Sequence, residues 1–290
     1  MTSTTVASLA AFEEEVGTEG PVTIAGLSTR GGAVPGVRAV AAPSGIHWIQ
    51  ADEMTMSCGA GTPLAGVSAA LAELGQRVSL PGAGTVGGAL ADGRSGIRRL
   101  GDGFVRDVLL QARYVSAAGE VVKAGGPTVK NVTGFDVCRL LVGSRGTLGF
   151  LGDVIIRTRP IAPHSQWFTR PCADPVSLFA SLHRPVSVLW DGSTAWVLLE
   201  GHHRDVAEQA ATAALVETEG PPDLPTGSRR LVRPADVVAQ QGTFVAEVGI
   251  GVVHHADADT SSRAAPSALA VRVKREFDPT RRLNPGIDLA

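Results

Sequence analysis

Apolar residues recur every three or four positions after residue 62, which is the spacing of one helix face. Thr62 is expected to cap this helix, Pro63 to take its first position and Gly75 to follow its end. The residues predicted to face inward are Leu64, Val67, Leu71 and Leu74. The same spacing predicts a helix over about residues 135–142 and a last helix that stops at 278-DP-279. Their predicted inward residues are Val137, Leu140 and Leu141, and Leu269, Val273 and Phe277.

Short apolar runs between turn residues predict strands in both halves of the chain. In the first half the strands cover residues 54–58, 108–116, 120–124 and 148–158. After Pro160 glycine becomes scarcer and most of the tryptophans appear. This half predicts the order β-α-β-β-α-β, with strands near Trp167 and at 186–190, 196–200 and 244–253, and helices after 174-DP-175 and over 204–217. Such an order is typical of a ferredoxin-like antiparallel sheet with helices on one face, and it predicts an α+β fold.

Composition excludes several classes of protein. The chain has 290 residues, a 44% hydrophobic share and a net charge of −2, which gives no electrostatic reason to expect a nucleic-acid partner. No uninterrupted apolar stretch reaches the roughly 18 residues of a membrane span. The first 17 residues lack a basic region and turn acidic early, which is unlike a secretory signal. Cys58, Cys138 and Cys172 are too far apart for a metal motif, so a reducing cytoplasm is predicted.

Thirty-five glycines are concentrated in the first half, and four loops there favour close backbone approach to a ligand. They are residues 26–32, 59–62, 84–96 and 143–149. Successive backbone N–H groups in such turns form a concavity that suits a pyrophosphate. The alternative is that the loops are only turns in a β-rich domain. Neither the G-x-G-x-x-G dinucleotide pattern in a strand-to-helix setting nor the P-loop motif is present, so an ordinary NAD or ATP site is not predicted.

Three long motifs, in order, resemble the FAD-binding domain of the vanillyl-alcohol oxidase / p-cresol methylhydroxylase (PCMH-type) family. They are 81-PGAGTVGGALADGRSG-96 with its continuation to residue 126, 130-KNVTGFDVCRLLVGSRGTLGF-150 with its continuation to residue 160, and 277-FDPTRRLNPG-286. The second motif is similar to one characteristic of the glycolate oxidase FAD-binding (E) subunits. The resemblance implies a PCMH-type FAD-binding domain of two α+β subdomains at 1–160. It further implies a small antiparallel-sheet cap domain at 161–265 and a C-terminal segment at 266–290 that returns to the FAD domain.

The resemblance also implies which residues bind FAD. The cofactor would lie extended between the two subdomains, with its pyrophosphate on the backbone amides of the first loop and of the Thr-Val-Gly-Gly loop. Carried over by position, the cofactor-binding residues are Gly26, Ser28, Thr29, Arg30 and Gly31; Thr85, Val86, Gly87 and Gly88; Ala91, Gly93 and Gly96; Gly134, Gly146, Thr147, Gly149 and Leu151; and Asn284 beside the isoalloxazine. Some relatives attach the flavin to a histidine, and residues 17–46 contain none, so the FAD is predicted to be non-covalent.

Residues for substrate chemistry are harder to find. Oxidation of a hydroxy acid needs a base for the hydroxyl proton and a cation for the carboxylate, and Arg106, Arg145 and His254 are the candidates. For Arg106, a structural salt bridge is the alternative. The chain lacks the G-D-G-N-x-H stretch of catalytic relatives near 251-GVVHHADAD-259. Adjacent histidines on a strand point to opposite faces, so the pairs at 202–203 and 254–255 predict no metal site.

Three functional hypotheses remain open. The first is an FAD-binding subunit of a glycolate oxidase-like complex, which would act on a small 2-hydroxy acid with a second flavoprotein subunit and an iron–sulfur subunit. The iron–sulfur centres would lie in a partner, because this chain has no cysteine cluster. The second is a self-sufficient FAD-dependent dehydrogenase of a small hydroxy acid or alcohol. The third is a scaffold that kept the fold and lost the flavin. The predicted location is the cytoplasm, or the periphery of the inner membrane through partners.

Overall fold

The structure is a computed structural model that describes residues 8–127, 136–258 and 267–287. The first part of the chain contains α1 (Leu9–Val16), β1 (Val22–Ala25), β2 (Arg38–Ala41), β3 (Ile46–Gln50), β4 (Thr55–Gly59), α2 (Leu64–Ala72), β5 (Gln76–Val78), α3 (Val86–Asp92), α4 (Arg99–Asp102), β6 (Leu109–Val115), β7 (Val121–Gly125), α5 (Val137–Leu141) and β8 (Phe150–Pro160). The remainder contains β9 (His164–Pro171), α6 (Pro175–Ser181), β10 (Ser187–Trp190), β11 (Thr194–Gly201), α7 (His203–Thr212), β12 (Val216–Thr218), β13 (Ser228–Leu231), β14 (Phe244–Glu247), β15 (Val252–His255) and α8 (Ala268–Phe277). Short 3₁₀ helices occur at Val105–Asp107 and Pro234–Ala239. The mixture confirms the α+β class.

The described residues divide into two compact units. The first comprises those up to Ser95, Phe104–Ile161, and those from Ser267 onward. The second comprises Gly96–Gly103 and the residues from Ala162 to Ala258. The main division therefore falls beside the predicted boundary at residue 160. The short segment with α4 lies with the second unit, although it is in the middle of the predicted FAD domain.

The first unit contains two sheets. β1 and β2 form a parallel pair, and the strands of the larger sheet run in the order β3-β4-β8-β6-β7, with β5 also paired to β8. α2, α3 and α5 pack their apolar side chains on one face of this larger sheet, around Met56, Val67, Leu90, Leu141 and Ile156. The strands predicted at 54–58, 108–116, 120–124 and 148–158 are confirmed to within two residues at each end.

The predicted details of three helices need correction. Thr62 is not the N-cap of α2, because its hydroxyl donates to the carbonyl of Gly59 over 2.6 Å and the cap position is taken by Pro63. Leu74 is 49% exposed, since α2 ends two residues before it. In the short helix α5, Leu140 is 40% exposed, and the side chains that turn inward are Cys138 and Leu141. The last helix was predicted to bury Leu269, and that side chain is 68% exposed.

The second unit is built on one seven-stranded sheet. Its strand order is β12-β9-β11-β10-β14-β15-β13, and all of its pairs are antiparallel. β9, α6, β10, β11 and α7 follow one another as predicted, but β12 and β13 come before the strand predicted at 244–253, so the sheet is larger than predicted. The predicted strand at 244–253 is divided into β14 and β15 by a turn in which Gly249 and Gly251 have φ of 80° and 81°. The helix predicted over 204–217 ends at Thr212, and β12 follows.

The C-terminal segment closes the first unit. Leu283 forms a parallel bridge with Val22, whose amide donates to Arg282 and whose carbonyl accepts from Asn284. Arg282 is 4% exposed, and within the described parts of the chain its guanidinium donates to backbone oxygens alone. These acceptors are the carbonyls of Val16, Gly17, Glu19, Gly20 and Ala117, at 2.7–3.2 Å. Since the carbonyls at the C-terminal end of α1 have no helical partner, Arg282 satisfies orphan acceptors and complements the helix dipole.

Candidate functional site

The first unit contains a cleft of about 1200 Å³, counted with the solvent-filled space at its mouth. Its walls come from four places in the chain: the loop after β1, the start of α3, the loop before β8, and the C-terminal segment. The predicted site residues that line it are Gly26, Ser28, Thr29, Arg30, Gly31, Thr85, Gly87, Gly88, Ala91, Arg145, Gly146, Gly149, Leu151 and Asn284.

Two glycines of the first loop have no structural reason within the protein to be glycine. A Cβ at Gly26 would meet only the Thr85 hydroxyl at 3.7 Å, and a Cβ at Gly32 only the Ser28 hydroxyl at 3.5 Å. Both distances are ordinary van der Waals contacts, and neither residue has a positive φ. Both line the cleft. The missing side chains therefore keep the cleft wall flat against a ligand, which fits the predicted cofactor.

Arg30 ties this first loop to the residues before α3. Its guanidinium donates to the carbonyls of Pro81 and Ala83. A Cβ on Gly84 would collide with the Thr29 side chain, and Gly84 has a φ of 104°. The absence of a side chain at Gly84 therefore lets two loops of the protein pack against each other. The contact holds the first loop in place along the cleft.

The start of α3 does not offer free amides to an anion. The amide of Val86 donates to the carbonyl of Thr62, and that of Gly87 donates to Ala60 over 2.7 Å. The amide of Gly88 donates to the Thr85 hydroxyl, which caps the helix. The sequence interpretation that these amides hold a pyrophosphate therefore has no support in the geometry. By contrast, the amides of Leu27 and Ser28 make no hydrogen bond to any residue that the structure describes.

Gly87 is required by packing in the protein. A Cβ there would lie 2.8 Å from the Cβ of Ala60 and 2.9 Å from its carbonyl oxygen. α3 and the turn after β4 can approach this closely only because Gly87 has no side chain. The Thr-Val-Gly-Gly sequence thus sets the position of a cleft wall.

Arg145 occupies a strained position beside the cleft. Its φ is 55°, a conformation that few non-glycine residues adopt. Two hydrogen bonds hold it there: its amide donates to the carbonyl of Ala91 over 2.9 Å, and its carbonyl accepts from the Asn284 side chain over 2.7 Å. The guanidinium has no ion-pair partner in residues 8–127, 136–258 or 267–287. Backbone strain of this kind is often retained where a side chain must be aimed at a ligand.

The electrostatic balance of the cleft follows from its two arginines and one carboxylate. Asp92 lies 3.9 Å from the Arg30 guanidinium and 3.6 Å from that of Arg94. Asp92 therefore offsets part of the positive charge of Arg30, whereas Arg145 has no carboxylate beside it in the described parts of the chain. A ligand anion in the cleft would be attracted mainly to Arg145.

Asn284 supports the cleft wall through its whole side chain. Its Oδ1 accepts from the Thr23 hydroxyl and the Ile24 amide, at 2.8 and 3.1 Å. A Cβ on Gly146 would lie 2.6 Å from its Nδ2, so that glycine makes room for it. Asn284 has a φ of 44° and is 3% exposed. These bonds make it a brace between the C-terminal segment, β1 and the loop before β8.

The other predicted FAD-binding residues do not line the cleft. Val86 is buried in the core, and Gly93 is the left-handed C-cap of α3, packed against Gly143. Thr147 is fully buried, and its hydroxyl donates to the carbonyl of Ser144. Gly96 belongs to the second unit. Gly134 lies outside the described residues.

Two of the three candidate catalytic residues also lie away from the cleft lining. Arg106 is in the 3₁₀ helix at Val105–Asp107, with its guanidinium 4.0 Å from the centre of the Phe104 ring. His254 is in the second unit, where its Nε2 lies 2.9 Å from Oε1 of Glu247. The adjacent His255 is on the opposite face of β15, near Gln240. The two histidines therefore point apart, as predicted.

Several lining residues were missed by the sequence analysis. They are Ile24, Ala25, Leu27, Gly32, Ala42, Ala60, Gly61, Asp92, Leu141, Ser144, Phe150 and Ile287. Half of them lie within the four glycine loops that the sequence had indicated: Leu27, Gly32, Ala60, Gly61, Asp92 and Ser144. The apolar members carry no signal in the sequence, because core residues of the same types occur throughout the first unit.

The three thiols are buried and poorly reactive. Burial raises the pKa of Cys58 to about 12 and that of Cys138 to about 11. Neither these thiols nor any histidine lines the described cleft. In the described parts of the chain no three His, Cys, Asp or Glu side chains are grouped so that they could hold a metal ion. No described helix is long and apolar enough to cross a membrane.

Comparison with known proteins places a cofactor domain over this cleft. Residues 25–125 match a family described as an FAD binding domain. The matched segment contains the first loop, α3 and the turn before α2. The predicted FAD-binding, PCMH-type character of the first half is thereby confirmed.

The curated relatives that the chain matches include proteins named as oxidases, dehydrogenases and FAD-linked oxidoreductases. It is 40% identical over 113 residues to glycolate oxidase subunit GlcE of Escherichia coli, which is 37% of this chain and 32% of that protein. It is 37% identical over 115 residues to D-lactate dehydrogenase of Archaeoglobus fulgidus, covering 39% and 26%. An uncharacterised FAD-linked oxidoreductase of Mycobacterium tuberculosis is 30% identical over 165 residues, covering 55% and 33%. The aligned regions thus span about a third or less of these relatives.

The fold is shared with a solved structure. Alkyldihydroxyacetonephosphate synthase superposes with a TM-score of 0.68 over 96% of this chain and 74% of that one, at 14% sequence identity. At this identity the similarity concerns the fold. It agrees with the α+β architecture described above.

Proposed function

We propose, from the PCMH-type FAD-binding domain that the chain contains, that this protein is an FAD-dependent oxidoreductase. We assign it as the FAD-binding subunit of a glycolate oxidase-like dehydrogenase of 2-hydroxy acids. The observation that carries the proposal is the wall of the cleft at Gly26 and Gly32. Neither packing within the protein nor backbone conformation requires a glycine at these two positions. The similarity to subunit GlcE and to D-lactate dehydrogenase supports the substrate class.

The residues of the cleft have distinct parts in this function. The free amides of Leu27 and Ser28 and the Arg145 guanidinium would hold the diphosphate of FAD. Gly26 and Gly32 allow the cofactor to lie against the backbone. Asn284 and Arg30 fix the two loops that carry these groups. Bound FAD would supply the acceptor for the two electrons and the hydrogen that a hydroxyl-bearing carbon loses.

The cofactor is proposed to be non-covalent. The described lining of the cleft contains no histidine, cysteine or tyrosine that could form a bond to the flavin. Acid denaturation of the yellow protein tests this directly. The colour should stay in the supernatant, and colour in the washed precipitate would refute a non-covalent FAD.

The subunit role can be tested against self-sufficient activity. The purified chain, loaded with FAD, is mixed anaerobically with glycolate or D-lactate, and the flavin absorbance is followed. If the chain acts only as an electron-transfer subunit, the flavin should stay oxidised until partner subunits are added. Bleaching of the isolated chain would support the alternative, a self-sufficient dehydrogenase. A protein that stays colourless after incubation with FAD would indicate a flavin-free scaffold.

The proposed partners are a second flavoprotein subunit and an iron–sulfur subunit. The sequence has three cysteines, and all three are buried apart from one another. Iron–sulfur centres in the electron path would therefore belong to another chain. Affinity purification of the tagged chain from its natural host, followed by iron analysis and mass spectrometry, should recover both partners. Recovery of the chain alone would argue against a complex.

A further inference from the structure

One face of the larger sheet in the first unit is only partly covered. Ala112, Val154 and Ile156 point to the face on which α2, α3 and α5 pack, so the alternate residues of the same strands point to the opposite face. On that opposite face α1 covers one end, where Phe12 packs with Phe150. Beside α1 the face forms an open hollow of about 700 Å³, counted with the solvent-filled space at its mouth. Its side chains come from β3, β4, β6 and β8.

The uncovered part of this face carries like charges side by side. Arg113 on β6 is directly opposite Lys123 on β7, and two cations in that position destabilise a sheet. Asp153 on β8 lies 3.6 Å from the Arg113 guanidinium and 3.1 Å from the His47 imidazole, so its carboxylate is shared. In the described parts of the chain no ion pair engages Lys123 or Arg157, which follows Asp153 on the same face of β8. Arg113, Lys123 and Arg157 are termed the basic face.

The helix that borders the hollow carries the opposite charge. Residues 13–15 are three consecutive glutamates in the last turn of α1, and Glu14 and Glu15 are exposed. The C-terminal end of a helix is the negative pole of its dipole, so carboxylates are unfavourable there. Arg38 and Arg282 donate to backbone carbonyls at this end, and neither forms an ion pair with the glutamates. The three glutamates are termed the acidic end of α1.

The acidic end of α1 and the basic face are neighbours on one surface of the first unit. The Glu13 carboxylate accepts the Val121 amide over 2.8 Å, which places the end of the helix beside β7. Val121 and Lys123 are two positions apart on that strand, so they share a face. Among the described residues no ion pair joins a glutamate of α1 to the basic face. The surface therefore has a negative half and a positive half, and each contains charges that repel.

We infer that this surface binds a second copy of the chain, related to the first by a two-fold axis between the two halves. Such an axis places the acidic end of α1 of each copy on the basic face of the other, so the same contact forms twice. Both repulsions are then relieved together, since each half meets its opposite charge. A second copy carries this reversed arrangement of charges by symmetry, whereas an unrelated acidic protein would compensate only the basic half. Trp48, half-buried at the hollow, adds apolar surface to the contact.

The first test is the mass of the full chain in solution. Analytical ultracentrifugation at low ionic strength should show a dimer with a dissociation constant on the order of 10 μM, as expected for a small polar interface. Raising the salt concentration from about 0.05 to about 0.5 M should weaken the dimer by about tenfold or more, because exposed charges are screened. A chain that stays monomeric at about 100 μM in low salt would overturn the inference. A dimer whose affinity is independent of salt would do the same.

Charge reversal tests whether the two halves meet each other. The helix variant combines Glu14→Lys with Glu15→Lys, and the sheet variant combines Arg113→Glu with Lys123→Glu. Each variant alone should dimerise at least about tenfold more weakly than the unaltered chain, because like charges then meet in both contacts. An equimolar mixture should form a heterodimer about as tight as the original dimer, because opposite charges meet again in both contacts. Variants that dimerise normally alone, or folded variants that stay monomeric when mixed, would contradict the proposed pairing.

Two further variants separate the contact from general effects of charge and folding. Glu208→Lys with Glu217→Lys makes the same change in net charge at exposed sites of the second unit, and its dimer should be as tight as that of the unaltered chain. Lys123→Glu alone turns the repulsion with Arg113 into an attraction, so it should raise the urea midpoint of the monomer while weakening the dimer about threefold or more. This single variant keeps the test valid if the sheet variant does not fold.

The remaining outcomes concern a different occupant of the surface. Loss of the dimer in the helix variant alone, or in the sheet variant alone, would show that the two halves do not meet each other. A monomeric chain whose sheet variant no longer binds partner subunits would assign the basic face to another protein. Both results would overturn the two-fold dimer. Neither would affect the proposed oxidoreductase, because FAD binding is measured independently of the mass of the chain in solution.

Discussion

The side-chain amide of Asn284 donates a 2.7 Å hydrogen bond to the carbonyl oxygen of Arg145, across 139 positions of sequence. The bond fixes the strained backbone of Arg145, whose guanidinium has no ion-pair partner in the described chain. The side-chain oxygen of Asn284, Oδ1, accepts hydrogen bonds from the Thr23 hydroxyl and the Ile24 amide in β1. The C-terminal segment thereby determines the shape of a cleft that is otherwise built from the first half of the chain.

Asn284→Asp should weaken FAD binding and destabilise the first unit by about 1–3 kcal/mol. The substitution keeps the size of the side chain but replaces the donor that faces the Arg145 carbonyl with an acceptor. Flavin fluorescence titration and urea unfolding measure the two effects. Asn284→Gly accepts the φ of 44° without strain and separates the loss of the side chain from backbone effects. Unchanged FAD affinity in the aspartate variant would show that the bond does not shape the cleft.

Arg282→Met should cost at least about 3 kcal/mol of unfolding free energy. The variant leaves five buried or half-buried carbonyl oxygens without their charged donor, and unsatisfied acceptors are expensive. Arg281→Met is the matched control, because the neighbouring Arg281 is exposed. Urea unfolding of both variants gives the comparison. Similar stabilities of the two would indicate that water replaces the guanidinium.

Asp278 makes the stability of the first unit depend on pH. Burial by itself would raise its pKa, but hydrogen bonds from Lys274 and from the Leu283 and Arg282 amides outweigh burial and lower the pKa. A lowered folded-state pKa means that its contribution is fully present above the unfolded value near 3.9, and is lost as pH falls through the folded value. Asp278→Asn should therefore cost about 3 kcal/mol at neutral pH. The difference from the unaltered chain should shrink below about pH 4, and a constant difference would contradict this assignment.

Gly26→Val should weaken FAD binding by at least about tenfold with little change in stability. The new side chain meets no protein atom closer than an ordinary contact at its Cβ, so it projects into the cleft where the cofactor would lie. Gly66→Ala is the control, since Gly66 is exposed on α2 and has open space around it. That control should be neutral or slightly stabilising. If Gly26→Val binds FAD normally, the cofactor does not lie against this wall.

Arg145→Met should weaken FAD binding and reduce its dependence on salt. The guanidinium is the cleft's cation without an ion-pair partner in the described chain, so its loss removes an attraction that salt screens. Arg113→Met is the control, because Arg113 lies on the sheet face outside the cleft and pairs with Asp153. FAD titrations at low and high ionic strength measure the effect. An unchanged salt dependence in Arg145→Met would show that backbone amides, without this arginine, bind the diphosphate of FAD.

The sequence predicted most strands of the first unit because their apolar runs are bounded by clear turn residues. It also located the glycine loops, since glycine is recognisable wherever the backbone approaches something closely. The sequence could not show which group lies close to each glycine. Gly87 faces Ala60 and Gly146 faces Asn284, whereas Gly26 faces the open cleft. That distinction depends on contacts between distant segments, which no local pattern records.

The chemistry of the second unit was harder to predict for a different reason. Glu247 and His254 are seven positions apart with a turn between them, and only the antiparallel pairing of β14 with β15 brings them together. A strand order of β10-β14-β15-β13 does not follow from the order of residues along the chain. The residues were visible in the sequence, and their grouping was not.

The position of Arg282 has a consequence for the order in which the protein forms on the ribosome. The carbonyls at the end of α1 precede the guanidinium that satisfies them by more than 250 residues, so they are synthesised well before it. In the interval the second unit is completed almost entirely from the contiguous segment after Ala162. At translation rates of roughly 5–20 residues per second, α1 waits at least ten seconds for its partner. The nascent first unit is thus exposed longer to proteases and chaperones than the second, even though its synthesis begins first.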